Sequence, residues 1–430
     1  MKISAIISEY NPFHNGHAYH ADTTRRETDA DYVLSIMSGN FVQRGEPAVL
    51  NKYARAGMAL DKLDAVFELP TVYAISNAGD FAKGAVSILD AIGCINYLSF
   101  GVETDDMNPF DKICDILTKE QANFKASLRD HLKEGTIYPL ARELALKDIL
   151  GDKISEIASS PNNILAIEYI CALRTLDSNI IPHIIKRRGS YHIMHESPSS
   201  ILKTQRQIVH KQIINDILNY NNSDSNIDNT SEFLSASAIR RLIADKNDIS
   251  EHVPSIVLDA IKKTPCITEN STLDTLLNLR LTELTDDTPI HELSGDMLNR
   301  LRSITIPVSF DDAVQQLKTR NITYTRSSRA LLNLILGIKA DDFNVITKGG
   351  YAHYANLLSF RRDSSPLIKL IQDASRIPII NKKSDYHPVQ DAESLSWYYD
   401  CKATDIYNTL YYCNSKINNP SELSSNLVIL

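Results

Sequence analysis

The apolar run at residues 3–7 has the length and composition of a strand buried on both faces, and Glu9-Tyr10-Asn11-Pro12-Phe13-His14-Asn15-Gly16-His17 follows it directly. Residues 18–28, polar with interspersed alanines, read as a helix that opens at Gly16. Strand, sharp turn and helix in that order aim backbone N–H groups and two imidazoles at a helix N-terminus, where the dipole favours phosphate. The stretch therefore predicts an α/β fold with a nucleotide site after its first strand.

His14 and His17 have only Asn15 and Gly16 between them, so both rings can lie over one turn while Gly16 lets a ligand approach the backbone. Two N–H donors there would hold the α- and β-phosphates of ATP as charge develops at the α-phosphorus. Taken alone, such a pair is more often solvent-facing or metal-ligating. The preceding strand and the Asn-Pro-Phe turn favour phosphate.

Strand and turn signals then recur. Residues 32–37, ending in Ser38-Gly39-Asn40, read as a second strand, and Pro47 suits the first turn of a helix through Tyr53, Ala54, Met58 and Leu60. Residues 64–69 are a third strand closed by Pro70, 74–91 a helix stopped by Gly93, and 96–100 a fourth strand leading to Gly101-Val102-Glu103. A charged helical stretch follows to residue 151, then a helix opened by Pro161-Asn162-Asn163 and a fifth strand at 180–185 ending in Lys186-Arg187-Arg188. The alternation predicts a Rossmann-like parallel sheet with helices on both faces. Ligands bind such sheets at the carboxyl ends of the strands, so one cleft would collect the loops at 9–17, 38–47 and 101–103.

A chain of 430 residues exceeds one ordinary core. We expect two domains, 1–244 and 245–430, the second mainly helical, with a small strand-containing part at 351–360 and 377–380 and a closing helix at 392–408. Residues 196–230, with the polar run Asn219 to Asn226, read as an insertion in the first. The six cysteines form no C-x-x-C pair, which argues against zinc and fits a reducing cytoplasm. No leader is expected ahead of the first strand and no apolar run is long enough to span a membrane. The net charge of −8 argues against indiscriminate nucleic-acid binding, so an RNA partner needs a local basic face.

The turn resembles the H-x-G-H signature of the nucleotidyltransferase superfamily. The runs Met37-Ser38-Gly39-Asn40-Phe41-Val42-Gln43-Arg44-Gly45-Glu46-Pro47-Ala48, Glu68-Leu69-Pro70 and Phe100-Gly101-Val102-Glu103 are similar to those of the tRNA(Met) cytidine acetate ligase family. That resemblance implies an enzyme using acetate and ATP, with Mg²⁺ on the phosphates, to form N4-acetylcytidine at the wobble position of elongator tRNA(Met). It implies an ATP site of Ile7, Ser8, Glu9, Tyr10, Asn11, Pro12, Phe13, His14, Asn15, Gly16, His17, Ala18, Tyr19, His20, Gly101, Asn162 and Arg187. Asn163 and Arg188 are rivals to their neighbours, one position away.

Leu234-Ser235-Ala236-Ser237-Ala238-Ile239-Arg240 resembles the Ser-Ser-Thr-x-Ile-Arg segment of the same superfamily, which implies that Ser235, Ser237 and Arg240 hold leaving pyrophosphate. By itself it is an ordinary helix cap. Lys318, Arg320, Arg326 and Arg329 cluster around Tyr324, a mixture suited to phosphate contacts and base stacking on RNA. Within this reading His14 and His17 are catalytic, while an acceptor for the proton of the attacking amine is not identified. The rival readings are a cofactor-type nucleotidyltransferase that leaves the nucleotide on a small phosphate ester, and a non-catalytic RNA-binding protein with a nucleotide pocket.

Overall fold

The computed structural model describes residues 1–119, 121–136, 138–187, 233–269, 271–285 and 289–430; Arg188 and the expected insertion at 196–230 lie outside them. Five strands form the parallel part of one sheet: β1 (Ile3–Ser8), β2 (Tyr32–Ser38), β5 (Ala65–Leu69), β6 (Tyr97–Val102) and β7 (Ile181–Lys186), in the spatial order β5-β2-β1-β6-β7. Ile3 pairs with Tyr32 and Ser8 with Met37 on one side of β1, and Ser4 pairs with Tyr97 on the other. The chain moves outward from β1 in one direction and then returns to its other side. The switch point therefore lies between β1 and β6, where a crevice opens beyond the carboxyl ends of the strands.

Both faces of the sheet are covered, and the strands show it by alternation. Ile3, Ala5, Leu34, Ile36, Ala65 and Phe67 belong to one apolar cluster, while Ile6, Val33, Met37 and Val66 belong to another. Successive side chains point to opposite faces, so a strand buried on both sides feeds two cores. The second core includes Ala18 and Ala21 of α1 (Asn15–Glu27) and Ala56 and Met58 of α2 (Lys52–Ala59).

Two local expectations change. Pro47 does not open a helix: it pairs with Phe41 in a small antiparallel hairpin of β3 (Phe41–Val42) and β4 (Glu46–Pro47). Helix α2 begins instead at Lys52, where the Asn51 side chain accepts the Ala54 N–H. The helix expected at 74–91 is two, α3 (Thr71–Ala74) and α4 (Ala78–Ile92), because Asn77 caps the second by accepting N–H groups from Gly79 and Asp80.

The sheet also continues past residue 244. Strand β8 (Ala355–Phe360) runs antiparallel against β5 and extends the sheet by pairing with β9 (Ile379–Ile380) and β10 (Val428–Ile429). The apolar run at 355–360 is thus part of the same sheet as β1, while the residues between 245 and 350 are mainly helical. Among the described residues no helix is long and apolar enough to cross a membrane.

Candidate active site

The turn after β1 is built on buried aromatics. Tyr10 and Phe13 are inside the core with ring centroids 5.0 Å apart, and the His17 ring packs edge-on against Tyr10 at 4.9 Å. Pro12 and Ala18 are buried as well, so these members of the expected ATP-binding stretch shape the turn from below. Asn11 holds the turn to its neighbour, its Oδ1 accepting the Val49 N–H at 2.8 Å. Asn15 donates through its side chain to the Glu251 carbonyl at 2.9 Å.

His14 is the N-cap of α1. Its Nδ1 accepts the Gly16 N–H at 3.1 Å, and the His14 N–H donates to Nδ1 of His17 at 3.3 Å, a reciprocal cap built from two imidazoles. The consequence is chemical. With both Nδ1 atoms used as acceptors, each neutral ring carries its proton on Nε2 and presents a donor. Burial, then the Arg187 charge, pushes His14 down to about 3; burial, then the neighbouring His14, His20 and Arg187, pushes His17 well down. The rings stack at 3.7 Å between centroids and stay neutral together. Gly16 is required here, since a Cβ at that position would stand 2.9 Å from Cε1 of the His14 ring.

His20 continues the row one turn further, its Nε2 3.1 Å from Ser99 Oγ on β6, and burial lowers it to about 4. This link across the switch point carries no pattern in the sequence, because it depends on which strand lies beside β1. Ile7, Ser8, Glu9 and Tyr19 are half-buried around the turn.

The opposite wall comes from β6, β7 and the helix Pro161–Thr175. Arg187 donates its backbone N–H to Val102 O at 2.9 Å and its Nη1 to Asn162 Oδ1 at 2.7 Å, while Asn162 Nδ2 donates to Glu103 Oε1 at 2.8 Å. Asn163 points inward, buried, and accepts the Glu103 N–H at 3.1 Å. Asn162 is therefore the neighbour joined to Arg187, and Asn163 the one that fixes the loop. A Cβ on Gly101 would lie 3.1 Å from Cγ of Arg187, so any larger residue there would push this arginine off its path across the strand end.

The third wall is the helix Ala236–Ala244. Ser235 caps it by accepting the Ala238 N–H at 3.3 Å. Arg240 donates Nη1 to Asn11 O at 2.9 Å and Nη2 to Glu46 Oε1 at 2.6 Å, with Ser237 Oγ at 3.5 Å from the same nitrogen. One guanidinium thus laces this helix to both the histidine turn and the β3–β4 hairpin. Sequence reasoning missed its counterpart, Arg55, fully buried on α2, which donates to the carbonyls of Glu9 at 2.5 Å, Ser38 at 3.1 Å and Gly39. No motif marks Arg55; its partners are carbonyls brought together only by the sheet.

Of the expected RNA-contacting cations, Lys318, Arg320 and Arg326 are exposed. Arg329 is not: its Nε donates to Glu292 Oε2 at 2.8 Å, the side chains being 12% and 9% exposed. It stays inside because the helix Tyr324–Leu336 docks on the hairpin, Ser328 Oγ donating to Gly45 O at 2.9 Å. Tyr324, at the start of that helix, is half-buried and donates its hydroxyl to Asp311 Oδ1 at 3.2 Å.

A model of the HIGH nucleotidyl transferase family matches residues 1–219 and 199–422. The chain is 33% identical to the tRNA(Met) cytidine acetate ligase of Thermoanaerobacter sp. (strain X514), covering 97% of each, and 33% identical to that of Acetivibrio thermocellus, covering 100% of each. It belongs to the tRNA(Met) cytidine acetate ligase family. The fold agrees over its whole length with Thermotoga maritima TmcAL bound with alpha-thio ATP, at a TM-score of 0.81 and 26% identity, covering 100% of both chains. The chain is thus an ATP-dependent ligase built on a nucleotidyltransferase sheet, and the histidine turn stands at its switch point.

Proposed function

We propose that this ligase activates acetate with ATP and transfers the acetyl group to N4 of the wobble cytidine of elongator tRNA(Met), giving N4-acetylcytidine. The observation that carries the phosphate chemistry is the neutral pair His14 and His17, each with Nδ1 tied to a backbone N–H and Nε2–H left to donate. Acetate attacks the α-phosphorus, pyrophosphate leaves, and acetyl-adenylate remains. The nucleophile is already an anion, so this step needs positioning and charge stabilisation rather than a base.

In this reading the two Nε2–H groups hold the α-phosphate and keep donating across neutral pH, because burial prevents their protonation. Arg187, Ser235, Ser237 and Arg240 serve the departing pyrophosphate, Asn162 orients Arg187, and Gly101 lies by the nucleoside. Arg240 has to exchange Glu46 for phosphate to do so. Among the described residues no three His, Cys, Asp or Glu side chains gather into a metal site. A Mg²⁺ ion would be carried by the triphosphate, where it would offset phosphate charge. The exposed Lys318, Arg320 and Arg326 are the expected contacts to the tRNA backbone, in the cytoplasm where that substrate is found.

The test is ATP–pyrophosphate exchange by the purified protein with and without acetate, followed by transfer of labelled acetate to tRNA. Acetate-dependent exchange and label in cytidine are expected. Retention of AMP in a small-molecule product would instead point to a cofactor-type nucleotidyltransferase, and tight ATP binding without turnover to a regulatory pocket.

A further inference from the structure

The transfer step needs a proton acceptor. As the amine nitrogen attacks the carbonyl carbon of acetyl-adenylate, a C–N bond forms, the C–O bond to the phosphate breaks, and AMP leaves with that electron pair. One proton of the amine must go to a base. His14 and His17 are excluded by their own geometry, since each uses Nδ1 as an acceptor and already carries a proton on Nε2. His20 Nε2 is engaged with Ser99.

Three carboxylates stand around the crevice. Glu46 is paired with Arg240 at 2.6 Å, and Glu103 accepts from Asn162 at 2.8 Å. Glu9 differs from both. It follows β1 directly, is half-buried, and has Oε1 fixed by the Gln43 N–H at 2.8 Å, while Oε2 has no hydrogen bond among the described residues. The carboxyl is oriented by a backbone donor and keeps one oxygen free.

Its position also fits the second substrate. Gln43 belongs to the β3–β4 hairpin, whose tip docks on the helix Tyr324–Leu336, the element that carries exposed Arg326. Glu9 is therefore tied at once to the strand that leads into the histidine turn and to the hairpin that touches the Arg326 helix. We infer that Glu9 is the general base of acetyl transfer, its free oxygen taking the amine proton as the C–N bond forms. This rests on the ligase reading above.

The charges facing Glu9 suit the role. Burial raises its carboxyl above the ordinary range, Arg44 and Arg240 oppose that rise and Glu46 adds to it. Tyr169 lies close from the other side of the crevice, and Arg55 holds the Glu9 carbonyl from below. A raised value makes a stronger base, and the Gln43 N–H, Arg44 and Arg240 act against burial to favour the carboxylate.

The experiment compares the two half-reactions in wild type, Glu9→Gln and Glu9→Asp. Acetyl-adenylate is formed from ATP and acetate on the enzyme, tRNA is added, and single-turnover transfer is followed beside ATP–pyrophosphate exchange. The expected result is a transfer rate lower by about 100-fold or more in Glu9→Gln, with a much smaller loss of exchange. Wild-type transfer should rise with pH and level off, the Glu9→Gln rate should stay flat, and Glu9→Asp should recover part of the loss. Equal losses in both half-reactions, or transfer at the wild-type rate, would overturn the assignment, while acetate-dependent exchange by the wild type would leave the ligase reading standing. No acetate-dependent exchange in the wild type would overturn the ligase reading and this assignment together.

Discussion

At the carboxyl end of β1, His14 and His17 spend one ring nitrogen each on backbone and leave the other free. At the carboxyl end of β5, two strands away in the same sheet, every charged side chain has a partner within the protein. Lys52 Nζ donates to both oxygens of Glu68 at 2.7 Å and stands 2.8 Å from Glu422, all three side chains being 1% exposed. Asn356 of β8 donates to Glu68 at 2.7 Å, Thr404 donates to Glu422 at 2.8 Å, and Asp400 accepts from Tyr354 at 2.7 Å. Both regions are polar and both sit at a strand end. The difference lies in who completes them: the protein supplies partners to the charges of the Lys52 network, while each histidine of the turn keeps an Nε2–H with no partner among the described residues. A buried ion cluster is therefore poor evidence for a catalytic centre, and an incomplete one is better.

The largest effect expected from breaking this comparison is on stability. Lys52→Met strands Glu68 and Glu422 without their cation and should cost about 3–5 kcal/mol in denaturant unfolding. His17→Ala should act chiefly on chemistry, ATP–pyrophosphate exchange falling about 10²–10³-fold while the lost cap costs only about 1 kcal/mol in unfolding. A stable Lys52→Met protein with no exchange would give the network a role in chemistry and end the distinction.

The pH dependence sharpens the contrast at smaller amplitude, because the two regions titrate with opposite sign. His14 and His20 are lowered to about 3 and about 4, so the unfolded chain binds more protons than the folded one below the ordinary histidine value of 6.5. Their contribution is complete above that value and is lost as pH falls. Burial, with Asp400 and Glu422 nearby, pushes Glu68 up to about 7 against the pull of Lys52. Its contribution is complete below the ordinary 4.5 and is lost as pH rises through about 7. Urea titrations across pH 4–8, about the range that these values span, should accordingly show Glu68→Gln removing the upper decline and His20→Gln weakening the lower one.

The smallest effect should come from the exposed cations. Arg326→Gln should weaken tRNA binding a few-fold and lower the slope of log affinity against log salt by about one, without changing exchange. Arg329→Gln should instead lower stability, because it leaves Glu292 buried without its partner.

Local chemistry made the first half of the molecule readable. The apolar runs that became β1, β2, β5, β6 and β7 and the strand–turn–helix order of the histidine turn follow from short-range pattern, whereas Gly101, Asn162 and Arg187 are singled out by the family resemblance. Pro47 misled because a proline suits an edge strand as well as a helix start, and the chain took the strand once Gly45 had docked against Ser328. Arg329 misled because composition cannot tell the exposed Arg326 from an arginine one turn further along the helix that faces Glu292. The antiparallel placement of β8 on β5 was not legible either, since an apolar run such as residues 355–360 marks a strand without naming its neighbour.

The sequence by itself determined that β1 ends in a turn able to hold phosphate, because periodicity, turn residues and helix opening act over a few neighbouring positions. Only the tertiary structure decided which donors stay open and which carboxyls are used up. Satisfaction of a polar atom depends on partners far along the chain: Gln43 for Glu9, Asn162 for Arg187, Glu422 for Lys52. In a buried site, it is that accounting of partners that separates structural charge from chemistry.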